Sequence, residues 1–235
     1  MKRFVAASVA ALMMVLLVSG TAFGASAKWS LGYYNGANDP NLYTEVAANP
    51  HSGSIATFAF DLYPNQALLT TTATGYTKKG NLLGKTVTAT ISITGPAASY
   101  LFSAYSDTSC PAGTATVRFY FSTKLVLGPE TTFQPGLYAD QMWWSNVSIP
   151  LADLYALGPN GTTLTVTFAP ANWFNLNGTQ GSSLVAPYAN DFSLAASNVD
   201  KVGFSFGSPS CAAFGDGSNP AGAMFNLLKF STYTP

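Results

Sequence analysis

Histidine occurs once in this sequence, at His51, and cysteine twice, at Cys110 and Cys211. A single histidine leaves no cluster of imidazoles for a transition metal. It also denies an α/β-hydrolase triad to any serine that follows it, because that fold places the histidine last. Charge is scarce too: Asp, Glu, Lys and Arg make up 9% of the chain, 10 basic against 10 acidic. No basic run is present, which argues against nucleic acid and anionic membranes as partners. The surface must therefore be built from Thr, Ser, Asn, Gly and Tyr, and such a surface meets neutral hydroxylated ligands without desolvating charge.

The N-terminus reads as a secretory signal peptide over residues 1–27. Lys2 and Arg3 precede an uncharged apolar run from Phe4 to Val18, and small residues follow. Cleavage is expected after Gly24 or after Ala27. The run falls short of the roughly 20 apolar residues of a membrane span, and no later segment is long enough, so no membrane insertion of the mature form is expected. Loss of Lys2 and Arg3 leaves a net charge near −2. The remaining 28–235 fits one domain, with no linker, composition shift or internal repeat. In an exported chain the two cysteines are expected to form one disulfide, Cys110–Cys211. With about 100 residues enclosed, loop-closure entropy gives roughly 4–5 kcal/mol of stabilisation.

Period-2 alternation dominates the mature chain, the mark of half-buried strands. In "TVTATISIT", Val87, Ala89, Ile91 and Ile93 oppose a Thr/Ser row. "TVRFYFS" sets Val117, Phe119 and Phe121 against Arg118, Tyr120 and Ser122, and "TTLTVTFA" repeats the pattern with Leu164, Val166 and Phe168. "IATFAFDL" is expected to bury Ala56, Phe58, Phe60 and Leu62. Further strands are expected at 68–77, 142–149, 199–207 and 223–231, about eight in all, separated by Gly/Pro/Asn/Asp turns. One short helical piece is expected near "IPLADLYAL". Strands without intervening helices predict an all-β fold, an antiparallel β-sandwich of jelly-roll type.

"VGFSFGSPSC" contains Gly203-Phe204-Ser205-Phe206-Gly207, which fits the G-x-S-x-G pattern of a nucleophile elbow. That elbow needs a sharp strand-to-helix turn at the serine. Here alternation runs straight through Ser205, with Val202, Phe204 and Phe206 as the buried row, and a loop follows. Ser205 is read as a strand serine. A glycoside hydrolase needs two carboxylates across a cleft, and no strand carries an alternating acid pair. Loop acids that converge in space would leave no motif, and the same holds for a structural Ca²⁺ held by scattered oxygens.

"QMWWSNVSIP" carries the aromatics that bear most on function. As a strand it places Trp143, Val147 and Ile149 on the core row, and Trp144, Asn146 and Ser148 on the outer row. Arg118 and Tyr120 project outward from their own strand. An aromatic face beside Asn, Ser and Arg suits a neutral sugar, which stacks on the ring and bonds through its hydroxyls. Trp173, in "APANWFNLNGTQG", is a second, loop-borne platform on the same reading. Large strand aromatics also pack beneath a neighbouring loop or second sheet, and both readings stand for Trp144 and Trp173.

The stretches "NLLGKTVTATISITG", "ATVRFYF", "WWSN", the Trp173 segment and "VGFSFGSPSC" span most of residues 80–231. Together they resemble an extracellular bacterial protein with a galactose-binding-like or carbohydrate-binding-module-like jelly roll. The resemblance implies a secreted, non-catalytic module that recognises carbohydrate or cell-surface glycan. On this reading Trp144, Tyr120, Arg118, Asn146 and Trp173 bind the ligand. The alternatives are a secreted structural or interaction protein whose aromatics are all core, and a glycoside hydrolase. Stacking aromatics on an open face distinguish the first reading from the second.

Overall fold

The eight alternating segments become eight strands in the computed structural model, which describes residues 29–34, 43–51, 53–72, 80–106, 110–131 and 136–235. The strands are β3 (Ala56–Ala59), β4 (Gln66–Thr72), β5 (Thr86–Thr94), β7 (Thr116–Thr123), β8 (Met142–Pro150), β9 (Thr162–Thr167), β11 (Val199–Gly207) and β13 (Met224–Tyr233). A small sheet runs β3-β13-β5-β9, and the centre of a larger one runs β8-β7-β11-β4, with every pairing antiparallel. Counted in chain order, these sheets read 1-8-3-6 and 5-4-7-2, so the connections cross between the layers as in a jelly roll. The expected all-β sandwich is the fold. The signal peptide and residues 73–77 of the expected strand 68–77 lie outside the described residues.

Five shorter strands were not legible in the sequence. A hairpin of β1 (Trp29–Tyr34) and β2 (Tyr43–Ala48) extends the large sheet beyond β4, and β10 (Trp173–Asn175) is added outside β8. A small ladder of β6 (Leu101–Ala104) and β12 (Asp216–Asn219) joins β4 through Asp216. The helix expected near residue 150 is α1 (Leu151–Ala156), and a second, α2 (Asp191–Ser197), precedes β11.

Inner rows of both sheets meet in one core. Val87, Ala89, Ile91 and Ile93 are fully buried, as are Val117, Phe119, Phe121, Val202, Phe204 and Phe206. Phe58, Phe60, Phe206 and Phe225 meet edge-to-face or stacked at 5.0–5.7 Å. Each buried ring contributes about 1.5–3 kcal/mol by leaving water. Leu62 departs from expectation and is 46% exposed. β3 ends at Ala59, and Asp61 then turns the chain, its side chain accepting the Leu62 N–H at 2.7 Å.

On the outer face of the small sheet, threonine hydroxyls pair across β5 and β9. Thr86 meets Thr167 at 3.0 Å, Thr88 meets Thr165 at 3.3 Å, and Thr90 meets Thr163 at 3.0 Å. From Thr88 onward this is the solvated Thr face that the composition called for, while Thr86 at its end is buried. At one end of the large sheet the disulfide forms as expected, with Cys110 and Cys211 Cα atoms 5.6 Å apart. Cys110 precedes β7 and Cys211 follows β11, and these antiparallel neighbours bring Thr116 opposite Gly207.

Candidate functional site

The outer face of the large sheet carries the residues singled out for ligand binding, and the register puts most of them together. Tyr120 pairs with Trp144, and Arg118 lies between Ser148 on β8 and Ser205 on β11. Between these pairs, Ser145, Asn146 and Val147 bulge opposite the single residue Phe119. Two extra residues leave the side-chain parity intact. Ser145 pins the bulge, accepting the Phe119 N–H at 3.2 Å and donating to the Val147 carbonyl at 2.7 Å. Asn146 sits exposed at its crest.

The expected face is therefore right, but the expected exposure is not. Trp144 is 2% exposed, Tyr120 2% and Arg118 5%. Burial pushes the Tyr120 hydroxyl pKa far up. The cover comes from two segments that show no periodicity. One is β10 with its following turn, which lays the half-buried Phe174 over Trp144 (6.4 Å, 23° between planes) and over the Arg118 guanidinium (5.5 Å). Trp173, expected as a platform, instead points inward. It is wholly buried against Phe168 at 4.7 Å and Phe121 at 4.9 Å, and its Nε1–H donates to the Thr167 carbonyl. In this three-residue strand the outward aromatic is Phe174, one position on.

The second cover is a strap, residues 208–214. Glycines bound it: Gly207 at φ +153° and Gly215 at φ +109°, with the Gly215 N–H closing onto the Phe206 carbonyl at 3.1 Å. A Cβ at Gly207 would collide with the Cys211 carbonyl oxygen, so the strap lies this close to the sheet only because residue 207 is glycine. The strap is also held by Tyr34, whose hydroxyl donates to the Ala213 carbonyl at 3.4 Å, and by Phe214 stacked on Tyr105.

Between the two covers opens a cavity of 350 Å³. Trp144, Phe174, Asn175 and Leu176 form one wall, and the strap residues Pro209, Ser210, Cys211, Ala212 and Phe214 form the other. Asn175 shapes its wall: its Oδ1 accepts from the Asn177 and Thr179 backbone N–H groups, and its Nδ2 donates to Asp140. The indole nitrogens differ sharply. Trp143 donates to the Asp140 carbonyl at 2.8 Å and Trp173 to Thr167 at 3.0 Å, but the buried Trp144 Nε1 has no partner. No carboxylate lines the cavity.

Beneath the strap end of the sheet lies a row of buried polar groups. Ser205 is 1% exposed and its Oγ has no hydrogen-bond partner. β11 runs on through Ser205 to Gly207 with no helix following, so the strand-serine reading holds. Asp216 is fully buried, with Oδ2 accepting the Gly207 N–H at 3.0 Å. Burial raises its pKa well above the usual carboxylate range, and the Arg118 charge only partly offsets this. Burial lowers the Arg118 pKa in turn, and its Nη2 donates to Thr116 Oγ1 at 3.3 Å. Farther along, Asp140 has its pKa raised to about 6 by burial and by Asp191, against a lowering hydrogen bond from Asn175.

Among the described residues, no three His, Cys, Asp or Glu side chains gather as metal ligands, and no helix is long and apolar enough to cross a membrane. No family model matches the chain, and no curated protein or solved structure does so either.

Proposed function

We propose that this chain is an exported, non-catalytic β-sandwich protein that binds neutral carbohydrate or cell-surface glycan in the cleft between the Trp144–Phe174 pair and the strap. One observation carries the reading. Trp144 lines a ring-walled cavity and its indole N–H is buried and unpartnered, whereas the indoles of Trp143 and Trp173 are satisfied. A buried donor left unpaired costs about 1–3 kcal/mol, which a ligand hydroxyl would recover once Phe174 or the strap shifts to admit it. The cavity falls in the ~300–1,000 Å³ range of small-ligand sites, and its lining combines aromatic residues with the polar residues Asn175 and Ser210.

On this reading the ligand lies beside Trp144 and Phe174, with Tyr120 and Arg118 supporting those rings from below and Asn175 fixing the wall. Neutrality follows from the lining, which carries no charged side chain. Hydrogen bonds there only partly outweigh lost water contacts, so affinity is expected in the micromolar to millimolar range, roughly −8 to −4 kcal/mol. The hydrolase reading has weaker support, since a glycosidase needs facing carboxylates and none lines the cleft. The disulfide and the N-terminal pattern support export.

A glycan array probed with the mature, oxidised protein tests the proposal. A saccharide signal that Phe174→Ala removes while the fold persists is the expected result. A structural or interaction protein would give no saccharide signal with either form.

A further inference from the structure

The strap that walls the cleft has almost no apolar anchorage of its own. From Pro209 to Phe214, Cys211 is the one buried residue. Pro209 and Ser210 are exposed, and Ala212, Ala213 and Phe214 are half-buried. Cys211 is held by the bond to Cys110, which fastens the strap to the loop before β7. The strap is also tied by the Gly215 turn, the Cys211 N–H on the buried Ser208, a 3.4 Å hydrogen bond from Tyr34, and the Phe214–Tyr105 stack. Ser205 and Asp216, which flank the strap in sequence, and Trp144, which shares the cavity with it, each have a buried polar atom that lacks a partner. The jelly-roll core, by contrast, draws on none of the strap residues.

We infer that the binding cleft is completed by oxidation: the sandwich folds without the disulfide, and closing Cys110 to Cys211 builds the second wall. The reaction is thiol–disulfide exchange. Two cysteine thiols and one disulfide-bearing oxidant, R–S–S–R, give the Cys110–Cys211 bond and two R–SH. Two electrons and two protons thereby pass from the protein to the oxidant. Cys110 is 2% exposed and Cys211 6% in the closed form, so small reductants reach the bond poorly. Oxidation thus sets the strap once. A chain in a reducing compartment has the fold but not the cleft, and gains the cleft after export.

That the cleft binds saccharide rests on the proposed function. That oxidation builds the cleft does not, and the experiment separates the two. The mature protein and its Cys110→Ser/Cys211→Ser variant are compared by far-UV circular dichroism and by acrylamide quenching of Trp144, taken as the difference from matched Trp144→Phe proteins. Hydrogen exchange of the Cys211 and Gly215 amides, before and after prolonged reduction with dithiothreitol that thiol titration shows to be complete, gives a second measure on the unmutated chain. Binding of maltotriose and cellotriose is measured on both forms.

Expected are unchanged β-sheet dichroism, Trp144 quenching raised at least about threefold, and strap amides exchanging at least about tenfold faster while β5 and β13 stay protected. A strap equally closed without the bond overturns the inference. So does global unfolding of the variant, because the bond would then hold the sandwich and not the strap. If the oxidised protein binds neither sugar but the strap opens as described, the inference stands and the ligand class of the proposed function is at fault.

Discussion

The rings of Trp144 and Tyr120 face each other across β8 and β7, centroids 5.7 Å apart, on the side of the large sheet away from the core. Next to them in sequence, Trp143 and Phe121 stack at 6.2 Å on the opposite side, inside the sandwich. One tryptophan dipeptide thus serves both faces of a sheet. The two members should respond differently to mutation.

Trp143→Ala should cost roughly 3–5 kcal/mol by emptying a core site and by leaving the Asp140 carbonyl without its donor. Trp144→Phe keeps most of the ring area under Phe174 and should leave stability within about 1.5 kcal/mol, while weakening saccharide binding. Urea denaturation of both variants checks this. A larger loss in Trp144→Phe than in Trp143→Ala would mean the faces are exchanged.

Ser205→Ala should leave the fold intact and raise stability by up to about 1 kcal/mol, since the hydroxyl it removes is buried without a partner. A fluorophosphonate probe should not label Ser205. Covalent labelling there would restore the nucleophile reading.

Stability should fall as pH rises through about 6. Asp140 titrates near 3.9 in an unfolded chain but at about 6 in the fold, because burial and then Asp191 disfavour its charge. The folded state holds the proton more tightly. Its contribution is complete below about pH 4 and lost as pH passes 6. Asp216, raised by burial, acts in the same direction. Thermal midpoints between pH 4 and 8 measure the slope, and Asp140→Asn should flatten it around pH 6. An unchanged slope in that variant would remove Asp140 as the cause.

The eight jelly-roll strands were legible because each buries one row and alternates. The short strands were not, for they owe their form to pairing. β12 is "DGSN", a run of turn formers drawn into a ladder with β6. The outer face was legible as well, since parity alone placed Trp144, Tyr120 and Arg118 on it. Its cover was not. The strap "SPSCAAF" shows no period, and its place is set by Gly207 and by a disulfide to a residue 101 positions away. In "NWFN", three paired residues are too few to show which aromatic faces out, so Trp173 stood where Phe174 belongs.

The most direct test of the cleft is a titration of the ¹⁵N-labelled, oxidised protein with neutral oligosaccharides, followed at the tryptophan indole resonances. Trp143 and Trp173 Nε1–H groups are already bonded inside the protein, and Trp144 Nε1–H is not. Saccharide should therefore shift the Trp144 indole signal, saturably, while those of Trp143 and Trp173 hold still. Binding that moves other residues and leaves the Trp144 indole in place would contradict the account.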